Sequence, residues 1–155
     1  MKKIIYIFIS LIVAVSFTAC EKVDPFVDRV VSPVLVQIMD SSGGSSSGLT
    51  TDPTVNATFG TSAKVGIKVL ELDKTNILDY TKGIDSLPVT SLALEIKFRG
   101  GSSLGTFTTG SDGVASVEIP WADLGVTGAG SSVSLTASGS YKDQSFTKLF
   151  KIASK

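Results

Sequence analysis

The sequence predicts an all-β fold: an antiparallel sandwich of about seven short strands behind an N-terminal leader. Two observations carry this. Apolar residues past residue 32 recur with period two, and no run keeps a period of 3.6. Turn-forming Gly, Asp, Asn and Pro interrupt the apolar runs at a spacing of roughly 8–12 residues, which suits a sandwich; an isolated barrel is the alternative.

The strands follow in order. Pro33–Met39 is apolar and β-branched, and its opening proline suits a first or edge strand. Residues 40–51 are dominated by Ser and Gly and read as a flexible loop, neither helix nor strand. Ala63–Val69 alternates, with Val65, Ile67 and Val69 on one face; at Leu70-Glu71-Leu72 the phase slips, which predicts a bulge or the end of the strand. Residues 73–86 are polar and read as a loop or a short irregular strand around Ile77-Leu78, and Pro88-Val89 reopens extended chain. Leu92–Arg99 is the clearest strand. Leu92, Leu94, Ile96 and Phe98 face inward, and Glu95, Lys97 and Arg99 face water. Leu104–Thr109 follows, with Phe107 as a core candidate. Ser111-Asp112-Gly113 is a tight turn into Val114–Ile119, where Ala115, Val117 and Ile119 share a face. Trp121–Gly125 suits one helical turn or a crossing loop. Ser131–Ser140 points Val133, Leu135 and Ala137 inward. Gln144–Ile152 closes the fold with Phe146, Phe150 and Ile152 on one face. Lys148 shares that face, so either the register shifts there or a lysine guards an edge.

Before all of this stands a leader. Met1-Lys2-Lys3 is basic, and Ile4–Phe17 is an apolar run of 14 residues, shorter than the roughly 20 needed for a comfortable membrane span. Small residues Thr18-Ala19 then precede Cys20, the only cysteine. Phe17-Thr18-Ala19-Cys20 resembles the lipobox of bacterial lipoproteins, with Phe17 where an aliphatic residue is usual. The resemblance implies that residues 1–19 are a signal peptide, removed on export. It implies covalent diacylglyceryl and N-acyl lipid on the sulfur and amine of Cys20, which would need no other cofactor. It implies a cell-envelope address at the outer membrane, facing the periplasm or the surface. Two or more acyl chains anchor firmly where one binds only marginally. Residues 20–31 then form a tether, and 32–155 the folded domain. Glu21-Lys22-Val23-Asp24 is a partial match to the acidic export mark of some surface lipoproteins, and equally a charged tether.

Composition narrows the chemistry. The chain has 14 basic and 14 acidic side chains. Removing Lys2 and Lys3 with the leader leaves 12 against 14, a formal −2. That balance argues against nucleic acid, which selects a clustered basic face. The chain has no histidine, so the usual general base and the commonest metal ligand are missing, and one cysteine allows no intrachain disulfide.

One stretch goes beyond a generic sandwich. Asp85-Ser86-Leu87-Pro88-Val89, the strand Leu92–Phe98 and the hairpin Gly105–Val117 with its Asp112-Gly113-Val114-Ala115-Ser116-Val117 turn resemble bacterial Ig-like repeats of the invasin and intimin kind. The resemblance covers residues 63–153. It implies an Ig-like sandwich with adhesion, spacing or scaffold roles and no catalytic residues. The chain differs in carrying a single domain and a lipid anchor.

Candidate sites are few. Trp121, Tyr80 and Tyr141 could form a sugar-stacking platform, though large aromatics more often serve packing. Asp73, Asn76 and Asp79 place oxygen donors in one loop and could hold Ca²⁺, or be solvated loop groups. Asp85-Ser86-Leu87 matches a short O-glycosylation tripeptide of some bacteria at Ser86, and Asn56-Ala57-Thr58 is an N-glycosylation sequon, expected to be idle at a bacterial address. Asp112 and Glu118 are the carboxylates a small hydrolase would use, six residues apart on a turn and a wet strand face. The expected activity is non-enzymatic: binding or scaffolding of an envelope protein or a glycan. A glycan-binding module and, behind it, a carboxylate hydrolase are the alternatives.

Overall fold

A computed structural model describes residues 32–48 and 50–155. The leader, Cys20 and the tether lie outside the described residues. Ser32–Lys155 forms one packed unit of ten strands. They are β1 (Leu35–Met39), β2 (Ser45–Ser46), β3 (Thr54–Ala57), β4 (Ser62–Asp73), β5 (Asp85–Pro88), β6 (Ala93–Phe98), β7 (Ser103–Thr108), β8 (Val114–Pro120), β9 (Ser132–Tyr141) and β10 (Gln144–Ser154).

Two five-stranded sheets pack face to face as a sandwich. The first runs β2-β1-β4, and the free side of β4 is shared by β8 and β5; the second runs β3-β10-β9-β6-β7. All pairings are antiparallel except β3 with β10, which is parallel.

The core is the one the alternation predicts. From the first sheet come Val36, Ile38, Val65, Ile67, Val69, Ala115, Val117 and Ile119; from the second come Leu94, Ile96, Leu135, Ala137, Phe146, Phe150 and Ile152. Leu92, Phe98, Val133 and Phe107 lie at its margin, half-buried. Phe107 is therefore a rim residue, because β7 is an edge strand with the sandwich opening beside it.

Three short strands go beyond the expected seven. Part of the Ser-Gly loop forms β2, because the Asp40 carboxylate accepts the Ser42 and Gly44 amides and folds the chain back on β1. β3 alternates over only four residues, with Val55 and Ala57 buried. β5 is exposed along its whole length and is held by main-chain pairing with the end of β4.

The phase slip at Leu70 is not a bulge. Pairing of β1 with β4 runs without a break through Leu35↔Leu70. Leu70 lies on the outer face, covered between Leu35 and Pro88 on the flanking strands, while Glu71 continues the inward phase where the sandwich opens. The irregularity falls instead between Ile96 and Lys97, opposite Gly105 (φ 139°).

Val69 is where β4 changes partners. Its amide donates to Gly113 O (2.8 Å), and its carbonyl accepts the Val89 amide (3.0 Å). Gly113 (φ +73°) fits only without a side chain: a Cβ there would lie 2.8 Å from Val69 O and 3.0 Å from Pro88 Cβ. The Asp-x-Gly pattern thus serves a three-strand junction as well as a turn. Lys148 does lie on the inward row of β10, in the stretch that β3 leaves uncovered, and its ammonium turns out to the Ser47 carbonyl.

Candidate functional site

The two ends of the sandwich differ. At one end β4 starts at Ser62, opposite Pro120 of β8. Pro120 begins a single helical turn, with Leu124 N donating to Pro120 O and Val126 N to Trp121 O. That turn folds Trp121, Leu124 and Val126 into the core. Trp121 is 2% exposed, its ring centroid lies 5.9 Å from that of Phe59, and its Nε1 donates to Thr58 O at 3.3 Å. It plugs this end.

The other end, at Glu71, carries Tyr141. Ser62 and Glu71 lie nine residues apart on one strand, about 30 Å at 3.3 Å per residue. The structure therefore separates Trp121 from Tyr141, and the three-aromatic platform expected from the sequence does not form. Burial of the indole takes Trp121 out of any sugar site. Tyr80 stays a candidate by exposure, at 97%.

Around Glu71 the geometry is well defined. Tyr141 Oη donates to Glu71 Oε2 at 2.6 Å, and Lys142 Nζ pairs with Oε1. This joins the inner row of β4 to the end of β9 and so ties the two sheets together. Lys142 Nζ also lies 5.3 Å over the Tyr141 ring. The turn behind it is unusual: Lys142 (φ 50°) and Asp143 (φ 62°) are both left-handed without being glycine. A two-residue hairpin between twisted strands demands that conformation, normally from Asn-Gly. Hydrogen bonds from Lys142 and then Tyr141 hold the Glu71 carboxyl below its ordinary range; the same contacts raise the Tyr141 phenol and the Lys142 ammonium. Glu71 is thus a carboxylate bonded at both oxygens that ties the two sheets together.

The β4–β5 loop (residues 74–84) projects from this end. Asp73 accepts the Thr75 amide at 2.9 Å, and Asp79 accepts the Thr81 amide at 3.1 Å; each also takes its threonine's hydroxyl. These hydrogen bonds, the hydroxyl first, lower both carboxyls. The expected Asp73-Asn76-Asp79 set is spread over two separate turns, and no group of three or more His, Cys, Asp or Glu among the described residues is placed to hold a metal ion. Between those turns the loop exposes Leu78, at 98%, and Ile77, and past the second turn Ile84 and, on β5, Leu87 also face outward.

The remaining candidates are dispersed. Ser86 is exposed on edge strand β5, across from Leu72, and Asn56 is exposed on β3. Asp112 caps the Val114 amide at the turn, while Glu118 accepts from Ser62 Oγ at 2.6 Å and pairs with Lys64 at 3.5 Å. Asp112 sits in the turn before β8, and the four strand steps from Val114 to Glu118 alone span about 13 Å, beyond the roughly 9.5 Å at which paired carboxylates act on one glycosidic bond. A groove of about 340 Å³ runs between β1 and β10; its one charged lining group, Lys148, is already bonded to Ser47.

Two features escaped the sequence reading. The Glu71–Tyr141–Lys142 contact was signalled by Glu71 keeping the inward phase of Val65–Val69. The apolar tip was signalled by Ile77-Leu78 standing beside Tyr80 in a polar loop. Comparison of the chain with known protein families, curated proteins and solved structures finds no match.

Proposed function

We propose that the chain is a lipid-anchored, non-enzymatic cell-envelope protein whose immunoglobulin-like sandwich presents a surface for binding or scaffolding at the outer membrane. The observation that carries the anchor is Cys20, placed directly behind Phe17-Thr18-Ala19 and a basic, apolar leader. Strand order supports the immunoglobulin-like reading. β1, β4 and β8 fall in one sheet and β6, β9 and β10 in the other, the division of strands A, B, E and C, F, G in that fold. The first segment crosses between sheets, pairing with β4 through β1 and running parallel to β10 through β3. β5 is an addition to that plan.

The anchor is tested by intact-mass measurement of the protein extracted from membranes, beside Cys20→Ser. The expected result is a diacylglyceryl-plus-acyl mass increment on a chain starting at Cys20, lost with membrane association in the variant. A native chain of unmodified mass overturns the reading. Exposed Tyr80 favours glycan binding as a second reading. A glycan array with native protein and Tyr80→Ala tests it, and binding that is absent or insensitive to the substitution rejects that role for Tyr80. Trp121→Ala is unsuitable there, because it opens the core.

A further inference from the structure

We infer that the β4–β5 loop dips into the lipid surface that holds the anchor, with Leu78 and Tyr80 as its inserting side chains. The inference rests on the lipid-anchor reading and adds an orientation to it.

Three observations converge. First, the apolar exposure is concentrated: five of the seven large hydrophobic side chains exposed among the described residues, Ile77, Leu78, Tyr80, Ile84 and Leu87, belong to one loop and the strand after it. Aliphatic groups beside a tyrosine, with Lys74 and Lys82 at the flanks, match what lodges at a lipid–water boundary: apolar bodies inward, the phenol and ammonium groups at headgroup level.

Second, the loop's carboxylates are occupied. Asp73 and Asp79 are folded onto Thr75 and Thr81, and Asp79 also faces Lys82 at 3.6 Å. Asp85 stands across from Asp73 on β5, behind the tip. The most exposed position of the loop, Leu78, is apolar.

Third, the chain enters the sandwich at this end. Leu35 of β1 pairs with Leu70, next to Glu71 and Leu72, and Ser32 lies just before it. Eleven residues, Glu21–Val31, separate Ser32 from Cys20. Fully extended they reach at most about 40 Å. A lipid on Cys20 therefore tethers the sandwich through its Leu78 end, the end at which Ser32 enters.

The test uses the full chain as cells process it, purified and reconstituted in phosphatidylcholine vesicles with or without bromine on the acyl chains. Native protein carries one tryptophan, Trp121, buried about 30 Å from Glu71, and serves as the unquenched control. Leu78→Trp places a reporter at a site whose exposure makes it tolerant, and Tyr80→Trp is the second variant. The expected result is a selective loss of emission for both variants in brominated vesicles, since interfacial insertion reaches about 5–10 Å, the acyl boundary, with native emission unchanged. Intact mass on the same samples reports the lipid. Lipid present without quenching overturns the insertion and leaves the anchor standing. An unmodified mass overturns the anchor and the orientation built on it. A blue shift without quenching, together with dimer formation, assigns the tip to a second protein copy and also overturns the proposal.

Discussion

The two ends of this sandwich are built from similar side chains put to opposite use. One end turns Trp121, Leu124 and Val126 inward on a single helical turn. The other turns Ile77, Leu78 and Tyr80 outward on an eleven-residue loop. The difference is not hydrophobicity but chain path. Pro120 closes β8 beside the core mouth, so the next residues can fold over it. At Asp73, β4 has already passed the core, and two successive Asp-Thr turns carry the chain away. The plugged end holds the fold together, whereas the exposed end spends its apolar groups where they stabilise nothing in the isolated domain.

That contrast can be broken most forcefully at the plug. Trp121→Ala should destabilise the protein by about 3–5 kcal/mol in urea unfolding, the range for deleting a buried large aromatic. A change as small as that of a surface substitution would mean that the plug carries no load. Towards the open end, β4 is also supported where Gly113 meets Val69. Gly113→Ala should cost about 2 kcal/mol, since the residue must hold φ +73° with its Cβ against Val69 O; unchanged thermal stability would contradict the junction. The β9–β10 turn offers a gain in the other direction. Asp143→Gly should stabilise by about 0.5 kcal/mol, because glycine accepts φ 62° without the strain of a side chain.

The carboxyl that joins the sheets gives a pH signature. Glu71 is lowered in the folded state, chiefly by its bond from Lys142 and then by Tyr141. The unfolded chain thus takes up the proton first as pH falls. The stabilisation is complete above the ordinary glutamate value, about 4.3, and is lost as pH drops from there through the lowered folded value. Glu71→Gln should flatten that part of the acid-unfolding profile; an identical slope in both proteins would deny the bridge its role. Smallest of all, Leu78→Ser should move unfolding by no more than about 0.5 kcal/mol, as for other surface positions. A larger loss would mean that the loop tip packs on the domain.

Much of this was legible from the residues in order. Period-two alternation gave the core strands, since side chains on a strand alternate faces whatever the neighbours do. Leu94, Ile96, Leu135, Ala137, Val117 and Ile119 are buried where that rule puts them. The short strands were not legible. Ser45-Ser46 and Asp85–Pro88 have no buried side chain to leave a pattern, and they are strands only because a neighbour offers main-chain partners. Nor could a linear reading join Glu71 to Tyr141 across 70 positions.

By itself the sequence determined what is local and chemical. Such features are the basic and apolar run ending at Cys20, the missing histidine, the alternation that makes two wet-and-dry sheets, and the glycine demanded at the Asp-Gly turn. Only the tertiary structure decided what depends on distance. It gave β3 its parallel partner, buried Trp121 while leaving Tyr80 in water, and turned Glu71 from a charged strand residue into a tie between sheets. The reason is that a side chain's type fixes what it can bond, while the fold fixes what it can reach.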